Sequence, residues 1–170
     1  MFERKSILNI TELYKKAKEY DGHCWKTRCT GKPKLRTYIK FKQSLETEKY
    51  VKYNLSRKER SFLAQIRLGI LPLKIETGRF ENVSLENRLC EFCSNQEIED
   101  EEHFLFRCEF NKELRREFMQ KLKDGSNEAD FDESNVQLLW ENIFEKRPRQ
   151  SSRYVILAFE NRRNRLYKRR

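Results

Sequence analysis

Cys90 and Cys93 lie three residues apart, and His103 and Cys108 complete a C-x2-C-x9-H-x4-C pattern. Two cysteines at that spacing form a turn that offers both sulfurs to one metal ion. A histidine and a third cysteine complete a tetrahedral set, which is the preferred surrounding of structural Zn2+. The pattern therefore predicts one structural zinc ion held by Cys90, Cys93, His103 and Cys108. Four protein ligands leave no position for water, and a catalytic zinc keeps one, so the site predicts binding without catalysis. The zinc-deaminase order, H-x-E followed by P-C-x-x-C, is excluded. Here the cysteine pair precedes the histidine, no proline precedes the pair, and neither His23 nor His103 is followed by x-Glu.

A metal staple suits the rest of the chain. Charged residues make up 38% of it and hydrophobic ones only 37%, with a mean hydropathy of −0.96. Such chains approach the disordered boundary, although 12% aromatics supply large side chains for a core. Zinc in sites of this kind supplies roughly 10–16 kcal/mol of apparent folding energy. His103 and Cys108 are five apart, about 140° around an ideal helix. A helix carrying His103 must therefore break or unwind before Cys108. Asp100, Glu101 and Glu102 suit the positive N-terminal end of such a helix, and one of them is expected to orient the imidazole. His23, Cys24 and Cys29 read in two ways, as ligands of a second metal or as ordinary thiols. The missing fourth ligand favours the second.

The periodicity is helical. Ile10, Leu13, Tyr14 and Ala17 line one face of a first helix. Ser56-Arg57-Lys58-Glu59 is a capping box ahead of Phe62, Leu63 and Ile66. Phe110, Leu114, Phe118 and Leu122 recur at every fourth position, with Gly125 as a stop. Val136, Leu139, Trp140, Ile143 and Phe144 form the cleanest stripe, ended by Pro148. Ser151 or Ser152 caps a last helix through Tyr154, Leu157 and Ala158. Thr37 to Phe41 and Leu73 to Glu76 read as short extended pieces, and Lys123 to Ser134 reads as a loop. The expected fold is mainly α: a small helical domain with an irregular Cys3His segment in its middle and a basic C-terminal helix. Three parts are expected: residues 1–32 as a helix and basic linker, 33–123 as the zinc-binding core, and 124–170 as a helical pair with a basic tail.

No apolar run approaches the ~20 residues of a membrane span. Met1 to Asn9 is too polar for a secretory signal, so the expected location is intracellular, in nucleus or cytoplasm. Five cysteines in a reducing compartment argue for metal ligation over disulfides. No membrane and no small-molecule substrate is expected as partner. The net charge of +10, from 37 Lys and Arg against 27 Asp and Glu, favours a polyanion. Lys26, Arg28, Lys32, Lys34, Arg36, Lys40 and Lys42 form a run without an acid, interleaved with Trp25, Tyr38 and Phe41. Basic groups for the backbone beside aromatic faces for bases make a nucleic-acid combination. For Tyr38 and Phe41 the core is the stronger reading. Arg162, Arg163, Arg165 and Arg169 form a second basic run. Glu97, Glu99, Asp100, Glu101 and Glu102 crowd the zinc segment, where phosphate should be repelled.

The flanks of the metal pattern carry a resemblance. Arg60-Ser61-Phe62-Leu63-Ala64-Gln65-Ile66-Arg67-Leu68-Gly69, Pro72-Leu73 and Glu76-Thr77-Gly78-Arg79 lead into Arg88-Leu89-Cys90-Glu91-Phe92-Cys93. Glu99-Asp100-Glu101-Glu102-His103-Phe104-Leu105-Phe106-Arg107-Cys108 follows, and Lys34-Leu35-Arg36-Thr37-Tyr38 lies upstream. Across roughly residues 33–118 this resembles the zinc-binding region downstream of the polymerase in non-LTR retrotransposon reverse transcriptases of animals. The resemblance implies binding of element RNA or target DNA, and a polymerase portion as a possible partner. No Tyr-x-Asp-Asp motif and no endonuclease signature occurs, so the expectation is a detached C-terminal piece without the parent catalysis. The retroviral zinc knuckle differs, because its loop is shorter and rich in glycine. The competing expectation is a zinc-stabilised protein-interaction module without nucleic-acid binding, docking through aromatics on the Trp140 helix. A relic without selected activity is a third reading.

Overall fold

Apolar side chains at intervals of three and four build most of the chain into helices. A computed structural model describes residues 9–42, 44–124 and 135–168, and those residues are mainly helical. Among them the β content is an isolated antiparallel bridge between Leu89 and Ile98. Helix α1 spans Ile10–Cys29 and starts at Asn9, whose side chain accepts from the Thr11 N–H at 3.2 Å. The stripe of Ile10, Leu13, Tyr14 and Ala17 is helical as expected, yet it faces solvent. The far end of α1 packs into the body, where Cys29 is buried and Trp25 packs edge-on to Tyr38 at 5.9 Å.

Two segments read as extended are helical instead. Helix α2 is Tyr38–Phe41, a single turn that points Tyr38 and Phe41 to one side and buries both. An alternating strand would have sent them to opposite faces. After α3 (Lys49–Lys52) and α4 (Arg57–Arg67), helix α5 covers Lys74–Phe80. In that segment only Leu73 is extended, as the residue that precedes the first turn. The capping box of α4 is formed as read: Ser56 Oγ accepts from Glu59 N–H at 3.3 Å, and Glu59 accepts from Ser56 N–H at 2.7 Å. The chain leaves α4 through Gly69 at φ +62°, a conformation that suits glycine. A Cβ there would also lie 3.1 Å from the Lys34 carbonyl oxygen.

Helix α6 is Lys112–Lys123, and residues 125–134, with the Gly125 stop and most of the expected loop, lie outside the described residues. Helix α7 (Val136–Glu141) continues into a widened turn over Asn142–Lys146, closed by Arg147 N–H to Asn142 O at 2.9 Å. Pro148 does not merely stop this helix; it opens α8 (Pro148–Lys168), where its missing N–H costs nothing. Ser151 and Ser152 are therefore not caps. They sit one turn inside α8, buried, with hydroxyls donating to the carbonyls of Asn142 and Arg149. Tyr154 and Ala158 are buried as expected, whereas Leu157 is exposed.

Helix α8 packs on α4, α6 and the widened turn, and these contacts form the centre of the molecule. A single cluster of buried side chains runs from Cys29 to Ala158 and includes Leu63, Ile66, Phe104, Leu122 and Ile143. Phe118 and Tyr154 stack at 4.4 Å, and the Tyr154 hydroxyl donates to the Leu105 carbonyl. Phe41 and Phe144 stack at 4.3 Å, with Trp140 beside both. Trp140 and Phe144 are thus interior, which removes the aromatics of that helix as a docking surface.

Candidate metal centre

The four residues of the Cys3His pattern converge. One donor atom from each of Cys90, Cys93, His103 and Cys108 lies within 4.8 Å of all the others, so the cluster could hold a metal ion. Cys90 and Cys93 come from a hairpin-like loop closed by Cys90 N–H to Glu97 O at 2.8 Å and Glu99 N–H to Arg88 O at 3.0 Å. Arg88 fastens this loop to α5, donating to Ile75 O at 2.9 Å and to Val83 O at 3.0 Å. Its stem runs over Gly78, where a Cβ would come within 2.8 Å of Arg88 Cγ.

His103 and Cys108 come from the next segment. Asp100 Oδ1 accepts from the His103 N–H at 2.7 Å and starts a short helix. That helix widens over His103–Arg107, and Cys108 N–H bonds to His103 O at 2.7 Å, five residues back. An i→i+5 turn brings residues five apart onto one face, which an α-helical turn does not. The chain then leaves in an extended conformation at Cys108. The required unwinding is therefore a widening by one residue.

Two donor separations lie close to the edges of a zinc tetrahedron. Zinc bonds of about 2.3 Å to sulfur and 2.0–2.1 Å to nitrogen place sulfurs about 3.8 Å apart and a sulfur about 3.6 Å from a nitrogen. Cys90 Sγ and Cys108 Sγ are 3.8 Å apart, and Cys93 Sγ is 3.4 Å from His103 Nε2. His103 is fully buried, Cys90 and Cys108 are buried, and Cys93 is half-buried. Two peptide N–H groups stabilise thiolate charge, Phe92 N–H on Cys90 and Phe110 N–H on Cys108. The two phenylalanine rings touch, with centroids 5.3 Å apart.

The donor groups differ in how firmly they hold a proton. The Cys90 thiol is pushed up to about 12 by its hydrogen bond with Cys108 and by burial, and the same bond lowers Cys108. His103 rises to about 9; burial pulls it down, but hydrogen bonds with Cys90 and Glu97 prevail. Nδ1 of His103 lies 3.2 Å from Glu97 Oε2, which also accepts from Arg107 Nε at 2.8 Å. The acceptor that orients the imidazole is thus Glu97, not Asp100, Glu101 or Glu102. Its position depends on the loop returning past His103, and no spacing in the sequence signals it.

Three of the acidic residues around the site pair with bases from elsewhere in the chain. Arg36 donates to Glu101 at 2.6 and 3.1 Å, and Lys40 pairs with Glu102 at 2.6 Å. Arg162 meets Glu99 at 2.7 and 2.8 Å, and its guanidinium lies 5.1 Å from the Phe92 ring centroid. Arg36, Lys40 and Arg162 therefore bind the protein's own carboxylates, and Lys42 pairs with Glu48 at 2.9 Å. Lys26, Arg28, Lys32 and Lys34 remain exposed around the C-terminal end of α1, and Arg163 and Arg165 remain exposed on α8. Arg169 lies outside the described residues. Tyr38 and Phe41 are core, as their stronger reading has it.

Cys24 and Cys29 join no metal-competent group among the described residues. No described helix is long and apolar enough to cross a membrane. Comparison with protein-family models, with curated proteins and with solved structures finds no match.

Proposed function

We propose that this chain is a non-catalytic nucleic-acid-binding module whose single zinc ion is structural. Cys90, Cys93, His103 and Cys108 are the ligands, and zinc supplies a fixed tetrahedral crosslink with no open position for substrate or water. The donor set and two donor separations close to those of a zinc tetrahedron support that ion. The observation that carries the nucleic-acid reading is the sorting of the basic residues. Arg36, Lys40 and Lys42 are taken up by carboxylates, while Lys26, Arg28, Lys32 and Lys34 point outward with no ion pair among the described residues. Exposed cations hold phosphates and release counterions. Arg163 and Arg165 extend the same chemistry on α8. The resemblance of residues 33–118 to the region downstream of retrotransposon polymerases supports the same class of partner, element RNA or target DNA.

The test is a binding titration of metal-loaded protein against single-stranded RNA and duplex DNA over a series of salt concentrations. Affinity should fall with a logarithmic slope near −0.9 per phosphate contact on duplex and about −0.7 on single strands. Changing Lys26, Arg28, Lys32 and Lys34 together to Glu should abolish binding while metal content and helicity stay unchanged. Binding indifferent to salt, or undiminished in that variant, removes the reading.

A further inference from the structure

The first half of α1 buries none of its side chains, and Lys18 reaches the body through an exposed ion pair with Glu46 at 3.9 Å. Every residue from Asn9 to Asp21 is exposed, among them Ile10 at 83%, Tyr14 at 71%, Tyr20 at 69% and Leu13 at 49%. The helix is nevertheless well supported by itself, through its Asn9 cap and the Glu12–Lys16 and Lys15–Glu19 pairs one turn apart. Its apolar residues are not scattered. Ile10, Leu13, Ala17, Tyr20 and Cys24 alternate in steps of three and four, which is the a-d-a-d-a register of a coiled coil. The side of α1 that meets the body, Trp25 and Cys29, lies about 120° around the helix from this seam at 100° per residue. The seam is therefore free to take a partner without displacing anything.

We propose that α1 is a dimerisation helix, its seam of Ile10, Leu13, Ala17, Tyr20 and Cys24 pairing in parallel with the same seam of a second copy. Self-complementarity identifies the occupant, because a two-fold interface must present the same surface to itself. Charge selects the orientation. In this register Lys16 takes the g position and Asp21 the e position, and a parallel pair sets Lys16 against Asp21 of the partner subunit. An antiparallel pair brings g against g, placing Lys16 opposite Lys16 or His23 of the partner subunit, with no acid to meet it. Two heptads are short, so the dimer is weak and forms reversibly with concentration. The inference is independent of nucleic-acid binding, since no residue of the seam is a phosphate contact.

The experiment uses the full metal-loaded chain, treated with nuclease, in sedimentation velocity across a concentration series. The dimer fraction should rise with concentration in the wild type. Leu13→Glu, which alters a side chain already in solvent, should remain monomeric with the same metal content. A short bis-maleimide should link two copies through Cys24, and Cys24→Ser should abolish that product. In the Cys24→Ser background, Lys15→Cys places a thiol on the opposite side of the helix and should give no linked dimer. A wild-type monomer at every concentration overturns the proposal, as does a Leu13→Glu dimer of undiminished strength. Linking through position 15 as readily as through position 24 excludes this seam, and a dimer that Cys24 cannot link excludes the parallel orientation.

Discussion

Arg162, six residues short of the described end of α8, holds Glu99, four residues ahead of the candidate ligand His103, through two hydrogen bonds of 2.7 and 2.8 Å. The pair is buried: Arg162 is 6% exposed. Glu99 also accepts from the Lys74 N–H at 2.7 Å, so one carboxylate joins α8, the first turn of α5 and the metal-bearing segment. Removing one partner of such a pair leaves a buried charge without compensation, which costs about 3–5 kcal/mol. Arg162→Ala should therefore lower the stability of the metal-loaded protein by about 3 kcal/mol. Arg163→Ala, next in the chain and exposed, should change it by less than about 0.5 kcal/mol. Urea unfolding followed by circular dichroism separates the two.

Metal removal should have a larger effect. The segment between His103 and Cys108 carries Phe104 and Leu105 into the core, so loosening the centre loosens the packing around α8. A contribution on the order of 10 kcal/mol matches or exceeds the whole stability of an ordinary domain. Chelation, or Cys93→Ser, should abolish cooperative thermal unfolding, and readdition of one equivalent of zinc should restore it for the wild type alone. Elemental analysis checks the stoichiometry, and calorimetry checks the cooperativity.

The protons in the centre set the direction of its pH response. Cys90, raised to about 12, and His103, raised to about 9, both carry a proton at neutral pH when no ion is bound. A bound ion needs thiolates at all three cysteines and a neutral imidazole, so at least these two protons must leave. Because the shifts are upward, affinity should climb as pH rises, by at least about a hundredfold per unit where these two protons are released. Competition with a chromophoric chelator across the neutral range measures the slope, and a flat profile contradicts the assignment.

Gly78→Ala tests the fastening of the cysteine loop. The added methyl would lie 2.8 Å from Arg88 Cγ, and Arg88 cannot swing aside without giving up its bonds to Ile75 O and Val83 O. Overpacking of this kind costs about 1–3 kcal/mol. The variant should show that loss in urea melts, together with faster amide exchange at Cys90 and Glu99, whose N–H groups close the loop.

What the sequence made legible was local. The ligands were readable because metal chemistry demands fixed residue types at fixed short spacings, and the capping box because Ser56 and Glu59 are three apart. Tyr38–Phe41 was not, since one helical turn and one short strand hold the same number of residues and four positions do not define a period. The serines of α8 misled because Pro148, three residues earlier, is itself a good first helical residue. The charge map failed for a different reason. Acids and bases that are well separated along the chain, such as Glu101 and Arg36, became neighbours on folding, so linear segregation did not survive as surface segregation. Glu97 could not be assigned because its partner, His103, is met across a loop and not at a helical interval.

His103, Cys90 and Cys108 are enclosed by packed side chains, and Cys93 is the ligand that water reaches most easily. Exchange at such a centre begins with the sulfur that an incoming molecule can touch. An ion held here would be approached by a competing chelator, a second thiol or an oxidant from the Cys93 side, and its residence time would be set by that one bond opening while the helices remain intact.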